Sequence, residues 1–131
     1  MMTEQRIKTP SRECLIDITE QVKTIIAKAV INDGIAVVYC PHTTAGITIN
    51  EGADPSVKSD IVRFLRDMIP RTYPFDHAEG NSDAHIKASI IGSSANLIVQ
   101  NGGIILGTWQ SIYFCEFDGP RSRKFLVKII G

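Results

Sequence analysis

Residues 95–130 carry four β-rich segments in close succession: ANLIVQ, GIILG, WQSIYFCEF and KFLVKII. The turn sequences NGG and DGPR break the run. Gly, Asn and Asp between short apolar runs are hairpin signals, because they tolerate the backbone conformations that tight turns require. A chain ending in this way has to build an antiparallel sheet. Upstream, RIKT and ECLIDI read as two strands joined near Pro10, IAVVYC as a continuous buried strand, and GITIN as a further short one. Between the strands, helical spacing appears. Thr19 is the expected N-cap of a helix whose apolar positions are Val22, Ile25, Ile26, Ala29 and Val30, ending by Gly34. Asp54 and Pro55 open a second helix with a stripe of Val57, Ile61, Phe64, Leu65 and Met68, and Pro70 ends it. A short third helix runs from Ser82 to Ile91 and closes at Gly92.

Helices early and antiparallel strands late predict an α+β domain with a β-sandwich component. The 131 residues show no linker, repeat or low-complexity tract, so one domain is expected over 1–131. The hydrophobic share of 44% is enough for a real core. Fourteen basic residues balance fourteen acidic ones, which argues against a nucleic-acid partner. No apolar run reaches spanning length, so no membrane helix is expected. The opening MMTEQRIKTP lacks a basic segment followed by an apolar one. Cys14, Cys40 and Cys115 are odd in number and form no CxxC pair, which reads as free thiols in a reducing compartment. A cytoplasmic location is therefore expected.

The chemistry concentrates in DHAEGNSDAHIKAS, which holds His77, Glu79, Asn81, Asp83 and His85. On a helical wheel, Ala84, Ala88 and Ile91 fall on one side and Ile86 with Ile90 nearly opposite. Asn81, Ser82, His85 and Ser89 lie between them, and Asp83 with Lys87 in the remaining gap. Such a helix is expected to pack on both apolar sides and to turn its polar stripe to a cavity or interface. His85 also fits a core histidine bonded to a carbonyl, and Asn81 an ordinary N-cap. The third histidine lies in CPHTTAGITINEGADP, just after a buried strand, with Thr43, Thr44 and Glu51. Gly46 there permits close backbone approach. Three imidazoles suit an open zinc-type site at His42, His77 and His85, or a division into acid, base and donor. In GTWQSIYFCEFDGPRSRK, Trp109 can stack a ring or fill a core. Arg121 and Arg123 suit phosphate, or a charged hairpin end.

PHTTAGITINEGADPSV, HAEGNSDAHIKASIIG and GTWQSIYFCEFDGPRSR together strongly resemble the YjbQ family, often labelled secondary thiamine-phosphate synthase. The resemblance covers nearly the whole chain. It implies an α+β fold with a seven-stranded two-sheet sandwich and two to three helices, assembled as a homotrimer. It also implies a site drawn from His42, Thr44 and Glu51, from His77, Asn81 and His85 with Glu79 and Asp83, and from Thr108, Trp109, Gln110, Glu116 and Arg121. The implied reaction joins a pyrimidine diphosphate to a thiazole phosphate and releases pyrophosphate. On this expectation His42, His77, His85 and Glu51 are catalytic, and Thr44, Asn81, Thr108, Trp109, Gln110, Arg121 and Arg123 bind a small phosphorylated metabolite. Mg²⁺ would take the oxygens of Glu51 or Asp83, whereas the histidines favour zinc. Two alternatives stand beside this one. They are a metal-dependent hydrolase of a small phosphorylated metabolite and a non-catalytic trimeric metabolite-binding protein.

Overall fold

The computed structural model describes residues 2–131. In chain order they form strands Met2–Lys8 (β1) and Cys14–Asp17 (β2), helix Thr19–Ala29 (α1), and strands Gly34–Tyr39 (β3) and Ala45–Glu51 (β4). Helices Pro55–Met68 (α2) and Ser82–Ile91 (α3) follow, then strands Ser94–Gln100 (β5), Gly103–Ile104 (β6), Gln110–Glu116 (β7) and Ser122–Ile130 (β8). The fold is α+β with two sheets, ordered β1-β8-β3-β5-β6 and β2-β7-β4. Every neighbouring pair is antiparallel. Seven strands have at least four residues, and the two-residue β6 extends the edge of the larger sheet. Its hairpin is the expected NGG turn, with Asn101 and Gly102 at φ 52° and 77°.

The β-rich C-terminal third supplies β7 at the centre of the smaller sheet and β8 and β5 on either side of β3, the middle strand of the larger one. Ala36, Val38, Leu97, Val99, Phe125 and Val127 of the larger sheet meet Ala45, Ile47, Ile112 and Phe114 of the smaller one, and Val22 and Ile26 of α1 join them. A second core lies on the outer face of the smaller sheet. There Leu15, Tyr113, Cys115 and Phe117 pack against Leu65 and Ile69 at the end of α2 and Ala84 and Ala88 of α3. β7 is thus covered on both faces, which is why WQSIYFCEF is apolar at both parities rather than alternating.

Details of the helices depart from the sequence reading. Asp54 caps α2 as expected, its Oδ1 accepting from the Ser56 N–H at 2.9 Å. Thr19, by contrast, is the first residue of α1 and makes no cap bond to it. Its hydroxyl donates to Asp17 Oδ1 and accepts the Ile112 N–H at 2.9 Å, so the neighbouring strand has claimed it. α1 ends at Val30 in a left-handed conformation, and Gly34 instead begins β3, where a Cβ would strike the Ile130 carbonyl. Along α2 only Leu65 is buried, while Phe64 and Met68 stay exposed. The helix packs beside the short edge strand β2, which is too narrow to cover the whole stripe.

Two positions test this account of the core. Phe114→Ala is expected to cost about 3–5 kcal/mol, because Phe114 is fully enclosed between the sheets. Phe64→Ala, which is 63% exposed, is expected to stay within about 0.5 kcal/mol. Guanidinium unfolding midpoints at constant m-value measure both.

Candidate functional site

The site is framed by an ion pair joining the two sheets. Glu116, last in β7, is fully buried, and Arg123 of β8 donates to it through Nε at 2.8 Å and through Nη2. The same Nη2 reaches Thr44 Oγ1 at 2.8 Å. Glu116 also accepts from the Thr9 hydroxyl at 2.7 Å and the Asp118 N–H at 3.0 Å. Burial alone would push the Glu116 carboxyl up, but the bonds from Arg123 and Thr9 outweigh it and hold it below the ordinary carboxylate range. Arg123, expected to contact substrate phosphate, is therefore committed to fixing the loop that carries His42 and Thr44.

A second charge group positions α3. The expectation of two packed apolar sides is overturned: Ile86 and Ile90 are exposed, while Asp83 is 0% and Lys87 1% exposed. The reason lies in the turn after β1. Arg12 clasps Asp83 with two bonds of 3.0 and 3.1 Å, and Glu13 takes Lys87 Nζ at 2.9 Å. Lys87 also bonds Asp83 at 2.9 Å along the helix. These partners let the charged side go inward and leave the isoleucines outside. Burial would raise the Asp83 carboxyl, but Arg12 and Lys87 hold it below its ordinary range. Asp83 is thus a packing residue, out of reach of a bound metal. The end of α3 rests directly on β4: the Gly92 carbonyl accepts the Ile47 N–H at 3.1 Å, and a Cβ on Gly46 would strike that carbonyl.

Held in this way, the first two motifs meet. A cavity of ≈ 380 Å³ is lined by His42, Thr43, Thr44, His77, Glu79, Asn81, His85, Asp118, Arg121 and Arg123. His77 and His85 stand edge to face, ring centroids 5.4 Å apart. Glu79 Oε1 is 3.8 Å from His77 Nε2. His42 Nε2 lies 3.1 Å from the Lys124 amide nitrogen and 3.2 Å from its carbonyl oxygen. Backbone thus occupies Nε2 in either tautomer, and only Nδ1 is left for another partner. Burial first, and the charge of Arg123 second, lower the His42 pKa, so this ring is neutral at neutral pH. Cys40, just before the motif, is buried and its thiol is pushed up to about 11, which makes it a poor nucleophile. Among the described residues, no group of three or more His, Cys, Asp or Glu is arranged to hold a metal ion.

Other expected members lie elsewhere in the chain. Glu51 is at the opposite end of β4 from Ala45, about 20 Å along the strand. Its Oε2 accepts the N–H groups of Ala53 and Asp54, a turn-closing role. Gln110 pairs with Glu51 across the sheet, so Thr108, Trp109 and Gln110 share that far end. Thr108 and Gln110 line a separate polar depression of ≈ 480 Å³ with Asp17 and Lys23. Trp109 is 64% exposed and fills no core. A single chain does not bring these four residues to the histidines. Conversely, Asp118 was missed. In DGPR it read only as a turn residue, yet its Oδ2 accepts from both Asn81 Nδ2 and Arg121 Nη2 at 2.8 Å. Arg121 and Arg123 do not act as a pair, because Arg121 precedes β8 and stays half-exposed while Arg123 is buried.

Comparisons with known proteins agree over the whole chain. Residues 3–131 match the family model described as UPF0047 protein YjbQ-like. The UPF0047 protein of Methanocaldococcus jannaschii is 58% identical over 131 residues, covering 100% of this chain and 95% of that one. YugU of Bacillus subtilis is 52% identical, with both chains fully covered. The crystal structure of a yjbq/upf0047 family protein from Clostridium acetobutylicum superposes with a TM-score of 0.96 at 55% identity, covering 98% of this chain and 99% of that one. A YbjQ-like protein of unknown function from Sulfolobus solfataricus gives 0.96 at 31% identity, covering 100% and 96%.

The two charge groups make acid stability a direct test. Asp83 and Glu116 both have lowered folded pKa values, so the stability they contribute is complete above their ordinary unfolded values near 4. It is lost as pH falls through the folded values. Asp83→Asn and Glu116→Gln should each flatten this acid limb in unfolding curves taken between pH 2 and 6. Each should also cost about 3–5 kcal/mol at pH 7, by stranding buried Lys87 with the partly exposed Arg12, or buried Arg123.

Proposed function

The chain belongs to the UPF0047 YjbQ-like family, and on that premise we propose that it is an enzyme acting on a small phosphorylated metabolite in the histidine cleft. The observation that carries this reading is the company His42 keeps. A neutral imidazole with one nitrogen tied to backbone lines the same cavity as the His77–His85 pair and Arg121. Neutral imidazole accepts or relays a proton near pH 7, and an arginine not buried in a core pair suits phosphate. The transfer that the family resemblance implies, thiazole phosphate displacing pyrophosphate from a pyrimidine diphosphate, is the reaction we propose. It needs charge stabilised on the leaving group more than it needs a nucleophile.

In this reading Arg121 and the N-terminal end of α3 hold the phosphate. His85 and His77 stand beside it as proton donors, and His42 Nδ1 orients the organic part. Mg²⁺ favours oxygen ligands. Glu79 and Asp118 are the cleft carboxylates that would hold it with the diphosphate, and it would neutralise the departing charge. A second reading rests on the 5.4 Å approach of His77 and His85. These two would hold a zinc-type ion for hydrolysis of a phosphate ester, as a histidine pair suits a borderline metal. The homotrimer belongs to the proposal too. Ile98, Ile35 and Ile130 lie opposite one another on the outer face of the larger sheet and are all exposed, an apolar row suited to a subunit contact. Light scattering that returns a monomer would remove it.

Purified protein given both phosphorylated precursors and Mg²⁺ should form thiamine phosphate, and His85→Ala should lower turnover by about 10²-fold or more. Absence of product, or turnover indifferent to His85→Ala, would sink the transferase reading. The hydrolase reading predicts bound metal after zinc reconstitution and dialysis, lost in the double variant His77→Ala/His85→Ala; elemental analysis reads it.

A further inference from the structure

Asn81 stands at the N-cap of α3, where an asparagine normally closes the first turn, yet its side chain makes no cap bond. Its Nδ2 donates to Asp118 Oδ2 at 2.8 Å. A carboxylate only accepts, so this bond fixes which way the amide points and leaves Oδ1 as the remaining acceptor. The residue is 7% exposed, it lines the histidine cleft, and Oδ1 has no hydrogen-bond partner among the described residues. Buried polar side-chain atoms are nearly always paired, so an orphan acceptor in a ligand cleft asks for a donor from the ligand.

The anion end is adjacent. Asp118 Oδ2 also accepts from Arg121 Nη2, and the Asp118 carbonyl accepts from Arg121 Nε at 2.7 Å. Nη1 of the same half-exposed side chain makes no bond among the described residues and is free for an anion. The first turn of α3 adds N–H groups that no side chain caps. One carboxylate thus ties an anion receptor to a donor-seeking oxygen. Oδ1 exposes almost no surface, so the space beside it admits at most a group the size of water, which favours a terminal hydroxyl or amino group over a ring edge.

We propose that Asn81 selects, among phosphorylated metabolites, those carrying a hydroxyl or amino donor near the phosphate. This rests on the reading of the cleft as a phosphometabolite site. Isothermal titration at pH 7.5 with glycerol 3-phosphate, phosphoethanolamine and n-propyl phosphate tests it on the intact protein. Wild type should bind one of the two donor-bearing probes about tenfold more tightly than n-propyl phosphate. Asn81→Leu should bring that ratio close to one. Equal binding of all three to wild type would overturn the inference while leaving the phosphometabolite reading in place, and this arm needs no variant to fold. Preference retained in folded Asn81→Leu would overturn Asn81 as its source. Failure of wild type to bind any of the three would overturn both readings.

Discussion

The pair of Glu116 and Arg123 is the contact on which the rest of the architecture turns. It joins the last residue of β7 in one sheet to β8 in the other, at the end where the functional loops leave the sandwich. Both Glu116 oxygens and Arg123 Nη2 also anchor a loop: Thr9 after β1, Asp118 in the β7–β8 turn, and Thr44 before β4. Gly119 in that turn is required, since a Cβ there would strike the Ser11 carbonyl and the Glu116 side chain. A buried ion pair contributes little net stability over an apolar replacement of the same shape. What it adds is geometry, because charges removed from water accept few arrangements. Here it fixes the loop of His42 relative to the turn of Asp118 and Arg121.

The charges around α3 complete that frame from the other side. A ten-residue helix is too short to be stable on propensity alone and needs tertiary anchoring. Apolar burial supplies part of it through Ala84 and Ala88, and Arg12 and Glu13 supply the rest. Asp83 and Lys87 facing inward set the rotation of the helix. His85 and Asn81 then fall at the boundary between its buried and exposed arcs, facing the cleft. The same rotation exposes Ile86 and Ile90. The cleft is therefore a product of two buried charge groups, one between the sheets and one under the helix.

Much of the fold was legible in order along the chain. The NGG hairpin, Asp54 before Pro55 and the two-parity apolar run of β7 each depend on neighbours in sequence, so local rules reach them; DGPR, by contrast, reads as a hairpin turn but crosses from β7 in one sheet to β8 in the other. Legibility failed where a side chain found a distant partner. Thr19 reads as a cap until Ile112 claims its hydroxyl. Asp83 and Lys87 read as a solvated gap on the wheel until Arg12 and Glu13 arrive from 71 and 74 residues away. Arg123 reads as a phosphate ligand until Glu116 takes its guanidinium, and Asp118 reads as a turn until two cleft residues converge on it.

Residue order alone is enough to make this chain an α+β domain with an antiparallel core and to place its three histidines in two polar motifs. Turn chemistry, apolar periodicity and residue type are local properties, and they suffice for that much. Which motifs share a cavity depends on contacts between distant segments. His42, His77 and His85 meet because the end of α3 rests on β4, whereas Glu51 and the Thr108–Gln110 segment sit at the other end of the same two strands. A strand carries its two ends apart by its own length. Whether motif residues converge thus depends on which end the neighbouring strand and helix reach, and that is settled by packing rather than by spacing.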